Sequence, residues 1–207
     1  MNTTVKRNSP TIRQEEIIDR TLELVRESGL GGLTTRKIAE RVGFTEAALF
    51  RHYRTKQTLL LGLMDRLETM LVAPIRVIAD DEALSFPERL EGMVRHHTKV
   101  VREYDSLPIL LLAEASASGD PVLVDRMRLV FRHYLSLLEG VAEEGQARGE
   151  LTNSVRPDCM ALLLLGAPAA LAIRHRLLPD ETAEDRFEED LIPFLMTTID
   201  SREGRTI

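Results

Sequence analysis

From Pro10 onward the apolar residues of this chain recur at spacings of three and four, the period of an amphipathic helix. No stretch shows the sustained two-residue alternation with β-branched enrichment that marks a strand. Ile18, Leu22 and Val25 form one such stripe. It follows Thr11-x-x-Gln14, the form of a capping box, and precedes Gly29, Gly31 and Gly32, which end a helix expected over about 11–28. Thr34 caps a second, short helix carrying Ile38, Ala39 and Val42 and stopping at Gly43, and Thr45 caps a third that ends near Tyr53. A fourth is expected over about 56–78, and the polar stretch 80–86 reads as a loop. Later helices fall at about 87–104, 107–116, 121–148, 157–178 and 183–201, separated by Gly119-Asp120-Pro121, Gly149 and Leu178-Pro179-Asp180. The fold class is all-α with roughly nine helices and no internal repeat.

Charge divides the same chain in two. Residues 1–57 carry 11 Lys/Arg against 7 Asp/Glu, whereas 58–207 carry 16 against 26, so a small basic unit precedes a larger acidic one. The whole chain, at -6, is no generic polycation, and the basic unit is the part suited to a polyanion. A single cysteine, Cys159, excludes an intramolecular disulfide framework and a zinc-finger ligand set, and fits a reducing compartment. The first eleven residues lack the apolar segment of a secretory signal. The longest apolar run, 160–173, is interrupted by Gly166 and Pro168 and is shorter than the roughly 20 residues of a membrane span. A cytoplasmic protein with no membrane partner is expected.

The stretch 34–56, TTRKIAERVGFTEAALFRHYRTK, has the logic of a helix-turn-helix. Two short helices crossing steeply need a small residue where they touch and a glycine where the chain turns, and Ala39 and Gly43 stand there. Ile38, Val42, Phe44, Leu49 and Tyr53 then share a miniature core with the first helix, leaving Thr45, Glu46, Ala47, Ala48, Arg51 and His52 outward. Small side chains at the start of the third helix permit close approach to base edges in a major groove, and flanking Arg, Lys and Thr can hold phosphates.

The motif Ile38-Ala39, Gly43, Leu49-Phe50-Arg51-His52-Tyr53 and Lys56 resembles that of the TetR family of bacterial one-component transcriptional regulators, over about 14–63. The resemblance implies an N-terminal DNA-binding domain, 1–57, and a C-terminal ligand-binding and dimerisation domain, 58–207. It implies that Thr35, Thr45, His52 and Lys56 contact phosphates of double-stranded DNA. It makes Arg36, Glu46, Ala47, Ala48 and Arg51 candidates for reading or flanking bases, in keeping with arginine's pairing to guanine, glutamate's to cytosine N4 and alanine's contact with a thymine methyl. Glu46 has a second reading, as a partner of the helix dipole. The family usually has tyrosine where Phe50 stands, so one phosphate contact is expected to be missing, with Arg51, His52 or Arg54 available to compensate.

For the C-terminal part the resemblance implies a homodimer built on the last two long helices and a small-molecule effector of unknown identity. Met160, Leu163, Leu164, Ala167 and Leu171, with Leu191, Phe194 and Leu195, are the expected interface, core burial being the other reading of the same apolar stretch. Met64, Met93, His97, Val100, Leu110, Glu114, Met127, Phe131 and Tyr134 are the candidate pocket residues, since methionine adapts to irregular apolar shapes and His, Tyr or Glu can orient a polar group. No cofactor, metal or catalytic set is expected: the chain lacks His-Glu-x-x-His, a Walker loop, Gly-x-Gly-x-x-Gly after a strand and Gly-x-Ser-x-Gly. The expected function is a repressor that binds a palindromic operator as a dimer and is released by ligand through a swing of the fourth helix. The alternative is a chromosome-binding protein of nucleoid-occlusion type, acting through a protein partner.

Overall fold

A computed structural model of the chain describes residues 10–104, 106–178 and 187–199, the side chains of 175, 187, 188, 195, 196, 198 and 199 excepted. Among the described residues there is no β-strand. The helices are α1 (Ile12–Ser28), α2 (Thr35–Val42), α3 (Glu46–His52), α4 (Lys56–Leu67), α5 (Ala73–Ala79), α6 (Phe86–Glu103), α7 (Leu107–Ser118), α8 (Pro121–Ala147), α9 (Pro157–Leu177) and α10 (Phe187–Ile199). A five-residue π segment, Glu68–Val72, joins α4 to α5 without a break, so the rod counts as one and the described chain has nine helical rods. The sequence pattern expects an uninterrupted α-helix there. Pro74 supplies the reason for the irregularity: it has no N–H for the Met70 carbonyl four residues earlier, and His96 Nε2 donates to that carbonyl at 2.8 Å instead.

The chain divides into two compact units, Met1–Leu63 and Met64–Ile207. The division falls six residues beyond the point that charge suggests, because the first two turns of α4 pack with the N-terminal helices. Leu59, Leu60 and Leu63 are buried, and a Cβ at Gly62 would stand 2.8 Å from Ile18 Cδ1 and 3.1 Å from the Tyr53 ring. In the first unit the capping box of Thr11 and Gln14 starts α1, Thr34 caps α2 by accepting from the Lys37 N–H, and Thr45 caps α3 by accepting from the Ala48 N–H. Gly43, at φ +76, ends α2 in the left-handed conformation that sets the turn into α3.

In the second unit α8 is the central helix, packed on α9, α7, α6 and α5. The buried Arg89 of α6 holds three elements together: Nη1 donates to the Ala79 carbonyl at the end of α5 at 3.0 Å, and Nη1 and Nη2 pair with Glu144 of α8 at 2.8 and 3.1 Å. Arg126 of α8, 4% exposed, pairs with Asp65 of α4 at 2.6 Å and with Glu68, which also bonds His133 Nδ1 at 2.5 Å. Both arginines meet carboxylates that reach the surface, which limits the desolvation cost of burying the cation. Over 160–173 helix α9 is apolar on nearly all sides, and 157–174 is long and apolar enough to cross a membrane by length and composition, although it packs against α8, α6 and α7. The last helix, expected over 183–201, is seen as Phe187–Ile199, and the remainder of that range lies outside the described residues.

Candidate functional site

Helix α3 turns Leu49 and, at its end, Tyr53 inward, 1% and 8% exposed, and leaves Glu46, Ala47, Phe50 and Arg51 outward. Its position is fixed from below by Gln14. That side chain caps α1 through Oε1 and donates from Nε2 to the His52 carbonyl at 3.3 Å, while its own backbone carbonyl accepts from the Tyr53 hydroxyl at 3.2 Å. The His52 ring stacks on Phe44 with centroids 6.1 Å apart, and the Arg13 guanidinium lies 5.9 Å from the Phe44 centroid.

Of the residues assigned to DNA from the sequence, Arg36, Thr45, Glu46, Ala47, Arg51 and Lys56 are exposed and Thr35, Ala48 and His52 half-buried. Thr35 and Glu46 meet directly, at 2.8 Å, across the helix-turn-helix. Arg36 pairs with Glu40 at 2.9 Å, both side chains well exposed. Such a surface pair contributes little, so the guanidinium can exchange it for a phosphate at small cost. Lys56 opens α4. Gln14, a positioning residue rather than a contact, is not singled out by the sequence beyond its capping role, because its second bond joins positions 38 residues apart.

The second unit contains a cavity of about 400 Å³. Its walls come from Leu67 and Leu71 of the rod, His97 and Val101 of α6, and one stripe of α7 comprising Pro108, Ile109, Leu112, Ala115 and Ser116. Helix α8 adds Val124, Met127, Arg128, Val130, Phe131 and Tyr134, and α9 adds Leu165, Ala169 and Ala172. Four sequence candidates, His97, Met127, Phe131 and Tyr134, are among these. Met64, Met93 and Val100 are buried away from the cavity, and Leu110 and Glu114 lie on another stripe of α7, one turn apart from each other and offset from the lining positions. Leu112, Arg128 and Phe131 are exposed and mark its mouth. Deep in the wall His97 Nδ1 and the Tyr134 hydroxyl are bonded at 2.9 Å, with the rings edge-on. Burial, with a smaller contribution from the neighbouring His96, pulls His97 down to about 3, and burial pushes the Tyr134 phenol up, so both are uncharged at neutral pH.

The expected interface residues divide between two faces of α9. Met160, Leu164 and Leu171 are buried within the chain, whereas Leu163 is exposed and Ala167 half-buried. The outward face runs Leu163, Gly166, Ala170, Ile173, Leu177, with alternating spacings of three and four, and a Cβ at Gly166 would meet nothing within 4 Å. On α10, Phe194 is 67% exposed and Leu191 half-buried, and the Leu195 side chain lies outside the described residues. Among the described residues no group of three or more His, Cys, Asp or Glu side chains could hold a metal ion.

A capped helix-turn-helix with an outward-facing third helix, followed by a separate helical unit holding an apolar cavity, defines a DNA-binding regulator. The family described as bacterial regulatory proteins, tetR family, matches residues 17–63. The nucleoid occlusion factor SlmA of Vibrio campbellii is 30% identical over 158 residues, 75% of this chain and 80% of that protein, and the same factor from Vibrio cholerae is 28% identical over 77% and 81%. The chain belongs to the TetR family of DNA-binding regulators. Among solved structures, the fatty acid degradation regulator FadR of Bacillus halodurans superposes with a TM-score of 0.76 at 19% identity, over 91% of this chain and 97% of that one. A TetR transcription regulator from Haloarcula marismortui superposes with a TM-score of 0.74 at 25% identity, over 91% and 98%.

Proposed function

We propose that the protein is a cytoplasmic repressor that binds a two-fold symmetric operator as a homodimer and is released from it by a small-molecule ligand. The observation that carries this reading is the cavity in the second unit, whose size is that of a small-molecule site. The outward seam of α9, with glycine and alanine at its centre, supports the dimer, since small residues let a partner helix approach closely and a paired reader matches half-sites one helical turn apart. Thr35, Thr45, His52 and Lys56 take the phosphate role, and Arg36, Glu46, Ala47, Ala48 and Arg51 the base-reading or flanking one. Coupling runs along the continuous rod, which begins at Lys56 and gives Leu67 and Leu71 to the cavity wall. A ligand that binds one conformation of the rod better than another lowers DNA affinity by the ratio of its two affinities, and DNA lowers ligand affinity by the same factor.

The test is a titration of the purified protein against labelled DNA from upstream of its own gene, with excess unrelated DNA at near-physiological salt. Competitor-resistant binding to one symmetric site as a dimer supports the local repressor, and loss of that binding on adding ligand supports release. A second reading is favoured by the relatives named nucleoid occlusion factor: a chromosome-binding protein that acts through a protein partner. Recovery of many dispersed chromosomal sites, with binding that no small molecule alters, selects it.

A further inference from the structure

The cavity wall is more selective than its size. Fourteen of its eighteen lining residues are apolar, and the remaining four are His97, Ser116, Arg128 and Tyr134. Ser116 and Arg128 are exposed, and Arg128 is ion-paired with Asp125. His97 and Tyr134 are 4% and 2% exposed and bonded to each other. Their mutual bond consumes one donor and one acceptor. In either tautomer of His97 the pair retains one N–H or O–H and at least one lone pair. With His97 held neutral down to about 3, that pair offers hydrogen bonds but no charge. The buried cation nearest in sequence, Arg126, is already neutralised by Asp65 and Glu68 and does not line the cavity. A carboxylate carried to the depth of the His97–Tyr134 pair would lose its hydration without meeting a cation, since Arg128, the cation among the lining residues, stands at the exposed mouth, whereas a neutral oxygen would find its hydrogen bond there.

We propose that the cavity takes a predominantly apolar molecule carrying one uncharged oxygen function, a hydroxyl or a ketone, which hydrogen-bonds the His97–Tyr134 pair, and that it rejects the carboxylate of the same skeleton. This rests on the ligand-responsive reading above and gives that ligand its chemical class.

The experiment uses the full-length protein loaded with the neutral dye N-phenyl-1-naphthylamine, displaced in turn by 1-decanol, 2-decanone and decanoate at pH 7. The alcohol and the ketone are expected to displace the dye at concentrations at least ten-fold lower than decanoate. Because a neutral chain also partitions better into any apolar space, the deciding measurement is Tyr134→Phe. Removing the hydroxyl is expected to cut the alcohol-to-acid ratio at least three-fold, with helicity checked by circular dichroism. Leu112→Trp, at the exposed mouth, is expected to weaken all three probes without touching the core. Decanoate binding as well as decanol, a ratio unchanged in Tyr134→Phe, or no displacement by any probe each overturns the inference. DNA binding is read on the same preparation: decanol that binds with the expected ratio yet leaves operator affinity unchanged supports the cavity chemistry and overturns ligand release.

Discussion

Thr35 Oγ1 donates to Glu46 Oε2 at 2.8 Å, tying the first residue of α2 to the first residue of α3. The hydroxyl assigned to a phosphate is therefore committed, without DNA, to the carboxylate assigned to a base, and the two roles are coupled. Glu46→Gln keeps an acceptor for Thr35 and removes one negative charge from the face proposed to meet DNA. Affinity for unrelated DNA is expected to rise several-fold, and the ratio of operator to unrelated affinity to narrow by about 1–3 kcal/mol if the carboxylate reads a cytosine. Fluorescence anisotropy on both DNAs measures it, and an unchanged ratio assigns Glu46 to the helix end alone.

Arg36 and Lys56 are exposed and stand on different helices, α2 and the start of α4. Each Ala replacement is expected to lower DNA affinity, and Lys56→Ala, which removes a phosphate contact, to reduce the slope of log affinity against log salt by about one unit, hence about two for a dimer. Folding stability should move by no more than about 0.5 kcal/mol, as for surface substitutions generally. A slope unaltered in both variants would place the DNA interface elsewhere.

Phe50 is 41% exposed on the outward side of α3. Where the family usually has a phosphate-bonding hydroxyl this ring has none, so Phe50→Tyr restores a donor without disturbing the core. Operator affinity is expected to rise about ten-fold or more, since a hydrogen bond to a charged group contributes about 1.5–3 kcal/mol. A rise of the same size on unrelated DNA, measured in parallel, identifies the partner as phosphate rather than base.

The helix-turn-helix was legible because its signals are local: caps at Thr34 and Thr45, a left-handed glycine at 43 and inward positions at Leu49 and Tyr53 all lie within 20 residues. The π segment turns on Pro74, a helix-compatible residue at the second position of α5, whose effect lies in the carbonyl it leaves to His96. In α9 the sequence period gives no guide, because a helix apolar on nearly every side presents no stripe: Leu163 and Leu164 are adjacent, yet the first is exposed and the second buried. Of the cavity wall the sequence marked His97 and Tyr134 by their polar groups, Met127 by its adaptable thioether and Phe131. The aliphatic remainder, Leu71 or Val101 for instance, looks in the sequence like any other core.

The same His97 gives stability a pH dependence. Unfolded, an imidazole titrates near 6.5, and folded, His97 does so at about 3. Between these values the unfolded chain binds a proton that the folded chain refuses. Stability is therefore complete above pH 6.5 and falls as pH drops toward 3, by up to about 1.4 kcal/mol per unit from this group. Glu144, held low by Arg89, has the same sign, as does Glu68, where burial works upward but the bonds from His133 and Arg126 prevail. Their contributions are lost only as pH falls below about 4.5. His97→Gln, which can still bond Tyr134, is expected to flatten the acid limb between pH 6.5 and 4.5 and leave the carboxylate loss below it, read from urea midpoints at several pH values.

Two glycines of α8 make opposite predictions for one substitution. A Cβ at Gly145 would stand 2.5 to 2.8 Å from three atoms of the Phe86 ring, which is itself 1% exposed at the start of α6 and has no room to retreat. Gly145→Ala is expected to cost about 1–3 kcal/mol, the range for overpacking a filled core. At Gly140 a Cβ would meet nothing within 4 Å, and the residue lies well inside the same helix. There the added methyl group only removes backbone freedom from the unfolded chain, so Gly140→Ala is expected to gain up to about 1 kcal/mol. Urea midpoints of the two variants against the parent should move in opposite directions. A loss at both would mean that Gly140 faces another surface in the folded assembly.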